Sequence, residues 1–347
     1  MSKKLRESMV IKAIAFAFFC LSSSCQPGHP GQLEWVLDKS YLNAKITLYD
    51  INQDGFFDLI LSGFQKRKRQ DSREEPVADS VVALDGKTRN ILWGFQSQGH
   101  VAGYPAIYGN KVYFGSTDGF IYALELETGR TEWMFRTAGE VIASPTIGYK
   151  KVFIASQDRR FYALNAQNGD LEWALTTAEP ISGTAAIYDN KVYVGSWDHK
   201  LYALNAQDGM ILWRLKGDRA FDQAGPVISG NTIYIGNWDQ HMYAVSRDNG
   251  TLKWKFPTDG FLKESSPVVY QDKVYFGSDD GYLYALHKSK GYLIWKFQTL
   301  DAVYSSPAVS ENAIYIGSRD GYLYSLNHRG GLRWKMNLHA KIRSSPA

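Results

Sequence analysis

The stretch from Ser305 to Met336 reads SSPAVSENAIYIGSRDGYLYSLNHRGGLRWKM, and its reading decides the fold. Four short runs, SSPAV, AIYIGS, YLYSL and LRWKM, are rich in β-branched and aromatic residues, and ENA, RDG and NHRGG separate them with residues that accept αL or tight-turn geometry. The block is therefore four strands and three turns. No helix-period stripe of useful length lies between them. In YLYSL, Tyr322, Tyr324 and Leu326 alternate with Leu323 and Ser325, so one face of the strand packs while the other meets a neighbouring unit.

Working outward, the same block overlies the segments that start at Gly103, Ala143, Gly183, Gly225 and Ser265, each closed by a tryptophan in the fourth run. Trp93, Trp133, Trp173, Trp213, Trp254, Trp295 and Trp334 recur about every forty residues. A period of that length with four strands per repeat predicts an all-β fold, a β-propeller of four-stranded blades. Six blades are regular. A seventh, irregular one precedes them, with strands KITLYD near Lys45, DLILSGF near Asp58, SVVAL near Ser80 and NILWGF ending at Phe95. LEWVL, Leu33 to Leu37, matches the fourth run LEWAL at Leu171 to Leu175, and IRSSPA stops at Ala347 where a first strand has begun. These ends read as an eight-bladed ring cut at its C-terminus, with a seven-bladed ring carrying spare ends as the alternative.

The pattern YALNA..G...W, preceded by VY.GS.DG, resembles the pyrroloquinoline-quinone-like (PQQ-like) repeat. That repeat is found in quinoprotein dehydrogenases and in the BamB-like lipoproteins of outer-membrane protein assembly. The resemblance covers the chain from about residue 33 onward, and it is specific for the repeat rather than for an activity.

The N-terminus is basic and then apolar, AIAFAFFCL from Ala13 to Leu21, with Ser22, Ser23 and Ser24 before Cys25. That run is shorter than the roughly 20 residues needed to span a bilayer. LSSSC resembles a bacterial lipoprotein signal in which Cys25 is acylated, although Leu21 stands four residues before the cysteine instead of three. Residues 1–25 are thus a signal peptide, 26–32 a tether and 33–347 a single propeller domain. Gln26, after the cysteine, resembles the sorting pattern for an outer membrane, so the expected location is the bacterial envelope, facing the periplasm; secretion or the cell surface is the alternative. The only cysteines, Cys20 and Cys25, fall in the leader, which excludes a disulfide in the folded part. The formal net charge of +4 sits mostly in the leader too, with Lys3, Lys4, Arg6 and Lys12 against Glu7, so nothing argues for a nucleic-acid partner.

The irregular blade carries DINQDGFFD. Asp50, Asn52, Asp54 and Asp58 fall at positions 1, 3, 5 and 9 of a loop with Gly55 at position 6, and Phe56 offers a backbone carbonyl at position 7. Alternating oxygen donors on a tight turn suit Ca²⁺, here in a structural role. Position 12 is Leu61 where an EF-hand has Glu, and strands flank the loop, so the segment is more similar to the calcium loops of FG-GAP propeller repeats.

In a four-stranded blade the turn between strands two and three and the link from strand four to the next blade emerge at the same end. There the Asp-Gly turns read as hairpin chemistry. Two neighbouring turns differ, Trp197-Asp198-His199 and Trp238-Asp239-Gln240-His241, and with Phe221 and Phe261 in the adjoining links they form a candidate partner-binding patch. Packing over the groove between blades is the competing reading. The insertion Gln65–Asp79, basic and then acidic, belongs to the same end and reads as a solvated loop.

No vicinal cysteine pair, Gly-rich phosphate cradle, HExxH or GxSxG is present, and the seven histidines are scattered. PQQ is therefore not expected as a cofactor. The resemblance implies a non-catalytic, membrane-anchored scaffold that holds an envelope or outer-membrane protein. A carbohydrate or cell-surface ligand is the alternative, with a PQQ-dependent dehydrogenase less favoured.

Overall fold

A computed structural model of the chain describes residues 45–64, 80–88, 90–221, 223 and 225–345. The leader with Cys25, the tether, Leu33–Leu37 and the insertion Gln65–Asp79 lie outside the described residues. The described residues form seven four-stranded antiparallel sheets, each in the order 1-2-3-4, and contain no helix that could cross a membrane. Blade 1 runs from Lys45 to Gln96, blade 2 from Ala106 to Arg136, blade 3 from Thr146 to Thr176 and blade 4 from Ala186 to Lys216. Blades 5, 6 and 7 run from Val227 to Pro257, Val268 to Gln298 and Ala308 to Asn337. This is the propeller architecture expected from the tryptophan rhythm, with no eighth sheet among the described residues. The chain falls into two compact units: blades 1 to 5 within Ala44–Pro257, and blades 6 and 7 after Thr258.

Third strands are buried on both faces. In blade 4, Leu201, Tyr202, Ala203 and Leu204 are all buried, so the alternation expected of a strand with one wet face is lost where neighbouring blades sandwich it. Fourth strands keep one wet side. In every blade the register slips by one residue just before the tryptophan: Trp133 faces Ala123 while Thr131 faces Leu124. This bulge re-aims the indole and leaves two consecutive residues exposed ahead of it, such as Ile91 and Leu92 in blade 1.

The re-aimed indoles join blades. Trp133 donates from Nε1 to the Ala166 carbonyl of blade 3 (3.1 Å), and Tyr113 from the same blade 2 donates its hydroxyl to that carbonyl as well (2.9 Å). Trp93 to Leu126, Trp173 to Ala206 and Trp213 to Arg247 repeat the bond in the first unit, and Trp295 to His328 repeats it in the second. The carbonyl belongs to the turn between strands three and four, where a glycine lies under the ring. Gly169 has φ +79°, and a Cβ there would sit 2.7 Å from Trp133 Cδ2 and Cε3. The periodic tryptophan is thus more than a packing residue of its own strand. Burial pushes the Tyr113, Tyr193 and Tyr275 phenols up to about 12.

Candidate functional site

The strand-two-to-three turns carry an aspartate followed four residues later by a tyrosine. Asp118 Oδ1 accepts from the Phe120 amide (3.0 Å), and its Oδ2 accepts from the Tyr122 hydroxyl (2.9 Å) and from the amide of Gln98 in the preceding link (3.1 Å). Asp158 with Tyr162 and Ala138, Asp280 with Tyr284 and Asp259, and Asp320 with Tyr324 and Leu300 repeat the arrangement within their units. Asp198 and Asp239 accept the hydroxyls of Tyr202 and Tyr243 at 2.5 Å. Hairpin chemistry explains only the first of these bonds. The others tie the turn to its own strand three and to the incoming link, and the tyrosines are pushed upward by burial first and by the aspartate next. Hence in blades 2 to 7 this end is tied down by its own carboxylate.

One side chain per turn, just before the aspartate, is left to vary. It is Thr117 in blade 2, Gln157 in blade 3, Trp197 in blade 4 and Trp238 in blade 5. Trp197 and Trp238 meet with ring centroids 4.7 Å apart and planes tilted by 57°, both half-buried. Trp197 Nε1 donates to Ser182 Oγ (3.0 Å), which also accepts from Gln157 Nε2 (3.0 Å), so the indole is positioned by a polar shelf. His199 is exposed with φ +68°. His241 is half-buried, its ring Nδ1 2.8 Å from the Asp239 carbonyl oxygen and its ring edge-on to Tyr243.

One expected member of the patch is revised. Phe221 is fully buried: its ring packs edge-on against Tyr243 at 5.1 Å, and its backbone amide donates to the Ser196 carbonyl (3.2 Å). It is a plug for blades 4 and 5 and offers nothing to a partner. Phe261 belongs to the second unit, half-buried under the Lys263 ammonium (4.7 Å to the ring centroid), with its carbonyl accepting from the Asp279 amide (3.1 Å).

At the opposite end of blade 1, the loop Asp50–Asp58 is a set of side-chain-to-backbone bonds. Asp50 accepts from the amides of Asp54 (3.1 Å) and Gly55 (3.0 Å), Asn52 Oδ1 from Asp54 (3.1 Å), and Asp54 from Phe56 (2.9 Å). Asp58, fully buried, spends both oxygens on the amides of Ile51 (2.8 Å) and Gly86 (2.7 Å). Asn52 Nδ2 donates to Asp85 Oδ2 (3.0 Å), a carboxyl held below its usual range chiefly by the Thr88 amide. Among the described residues no three His, Cys, Asp or Glu side chains gather as a metal-holding group. Asp50 and Asp58 thus each give both oxygens to backbone amides, Asp50 on the exposed part of the loop and Asp58 buried beneath it.

The family model described as outer membrane protein assembly factor BamB matches residues 78–215, 176–303 and 279–347. No curated protein matches the sequence significantly. Among solved structures, BamB from Moraxella catarrhalis is 21% identical with a TM-score of 0.65, covering 82% of this chain and 91% of that one. The computationally designed Ika8 protein is 16% identical with a TM-score of 0.71, covering 87% and 90%. A europium-containing methanol dehydrogenase is 13% identical with a TM-score of 0.70, covering 83% and 78%. At such identities these likenesses speak for the fold alone, while the family model spans most of the sequence. The chain belongs to the PQQ-like β-propeller family described as outer membrane protein assembly factor BamB.

Proposed function

We propose that this chain is a non-catalytic scaffold of the bacterial cell envelope that holds a partner protein of outer-membrane assembly on the Trp197–Trp238 pair. The observation that carries the reading is that pair: two half-exposed indoles in contact, on turns whose aspartates are locked to tyrosines. Aromatic anchors on a rigid frame bind with little loss of side-chain entropy. The family match supports the envelope setting. In the same proposal Cys25 carries the lipid anchor, in an outer membrane and facing the periplasm, and Asp50, Asn52, Asp54 and Phe56 hold a structural Ca²⁺ that pins the first blade.

An enzymatic reading is disfavoured because each turn aspartate from Asp118 to Asp320 is engaged by a tyrosine hydroxyl and a backbone amide, which leaves it poorly placed as a base. Absorbance of a quinone in the purified protein would revive it. The carbohydrate reading draws on the same indoles, since exposed aromatic rings also stack on sugars. Affinity capture from solubilised envelopes separates these outcomes. The proposal expects one protein retained by the wild type and lost from a Trp197→Ala/Trp238→Ala variant of unchanged melting temperature; equal retention by that variant removes the surface from consideration, and glycan binding without protein capture favours the sugar.

A further inference from the structure

We propose that the second unit, blades 6 and 7, carries an anion site built from Arg319, Arg343 and Tyr304 that takes a carboxylate. The variable position before the turn aspartate, which holds Trp197 and Trp238 in the first unit, is Asp279 in blade 6 and Arg319 in blade 7. Asp279 has its own cation, since Lys263 Nζ lies 2.9 Å from its Oδ2. Arg319 does not. Its Nη1 donates to the Tyr304 hydroxyl (3.3 Å) and its Cζ lies 5.2 Å from the centre of that ring, while Arg343 Cζ lies 5.5 Å from the same ring.

Two guanidiniums thus share one aromatic ring, and among the described residues no carboxylate forms an ion pair with either. The nearest acids in sequence are committed elsewhere: Asp301 accepts from the Ala302 amide (2.7 Å), and Asp320 from the amides of Tyr322 (2.8 Å) and Leu300 (2.9 Å). The Tyr304 ring attracts each cation through its π face but does not cancel the repulsion between them. A second, independent sign of an absent acceptor is Arg319 Nε, a buried donor with no hydrogen-bond partner. A donor left in that state is expensive unless something completes it.

The chemistry of the missing group follows from the donors. A guanidinium presents parallel N–H groups that match the two oxygens of a carboxylate, and two arginines can hold it from different sides. The Tyr304 hydroxyl accepts from Arg319 and keeps its own proton to donate. Access is open, since Arg343 is exposed and Arg319 and Tyr304 are half-exposed. The carboxylate is either that of a small free acid or that of an acidic residue on a polypeptide, and the site stands independently of the Trp197–Trp238 surface in the first unit.

Isothermal titration of the purified full chain with citrate, and separately with a ten-residue polyglutamate peptide, tests this. The expected result is saturable binding of at least one probe, weakened at least ten-fold by Arg319→Gln and by Arg343→Gln, and a few-fold by Tyr304→Phe. Preference for citrate assigns a free acid, and preference for the peptide a polypeptide source. Should a glutamine variant fail to fold, Arg319→Lys and Arg343→Lys keep the charge but lose the fork, and an intermediate loss is expected. Absence of binding by both probes overturns the proposal, as does affinity unchanged in both glutamine variants.

Discussion

The contact between a glycine and the indole above it predicts a difference that the backbone alone would not produce. Gly109 and Gly169 both adopt left-handed φ, +59° and +79°, but a Cβ on Gly109 meets nothing within 4 Å, whereas one on Gly169 lies 2.7 Å from Trp133. Gly109→Ala therefore costs only the left-handed conformation, about 1–2 kcal/mol. Gly169→Ala costs that and, in addition, displaces a ring that is 9% exposed and anchored by its bond to the Ala166 carbonyl. Overpacking of this kind adds about 1–3 kcal/mol, so the total is about 2–5 kcal/mol. Urea unfolding of the two single variants measures the difference directly. A double-mutant cycle isolates the ring: Trp133→Ala alone costs about 3–5 kcal/mol, and Gly169→Ala added to it should cost only about 1–2 kcal/mol. Equal costs for the two glycines, or a full penalty for Gly169→Ala without the indole, would refute the idea that tryptophan docking onto the next blade sets the repeat.

Three further outcomes are expected. Asp58→Ala strands the buried amides of Ile51 and Gly86 and should lower stability by about 3–5 kcal/mol, while Asp54→Ala on the exposed part of the loop should cost under about 1 kcal/mol when calcium is absent. Stability should fall as pH rises from about 10, where unfolded tyrosines ionise, to about 12, where the Tyr113, Tyr162, Tyr193 and Tyr275 phenols ionise in the fold. The sign follows from the unfolded chain binding fewer protons over that window, and a flat unfolding midpoint across it contradicts the burial of these hydroxyls. Millimolar calcium should raise the melting temperature of the purified protein relative to excess chelator, by an amount that Asp50→Ala abolishes; identical melting curves remove the metal from the account.

Strands and blade order were legible because each repeat states them locally. Turn residues punctuate runs of Val, Tyr, Ile and Leu, and the run YLYSL is the third strand of blade 7, Tyr322–Leu326, residue for residue. What lay between blades was harder to read. The Asp-to-Tyr spacing of four, from Asp118 and Tyr122 to Asp320 and Tyr324, is visible in every regular repeat, yet its meaning needs the strand geometry that brings hydroxyl and carboxylate together. The burial of Phe221 is hidden in the sequence because its link is long and polar. The signal that reveals it is a spacing: Gly115 to Val141, Gly195 to Phe221 and Gly277 to Val303 are each 26 residues apart, and in each pair a Cβ on the glycine would collide with the later residue. Position in the repeat, more than local composition, decides burial here. The Arg319, Arg343 and Tyr304 grouping gave no sequence signal, since its members come from one turn, the link before blade 7 and the segment after its last strand, which only folding brings together.

Photocrosslinking in intact cells from position 199 tests the scaffold claim most directly, because His199 is exposed beside the Trp197–Trp238 pair. Position 134, where Met134 is 55% exposed on the outer strand of blade 2, serves as the comparison. The account predicts one dominant envelope-protein adduct at 199, lost when Trp197 and Trp238 are both alanine, and none of that protein at 134. The same adduct at both positions, or an adduct at 199 that persists without the tryptophans, would contradict it.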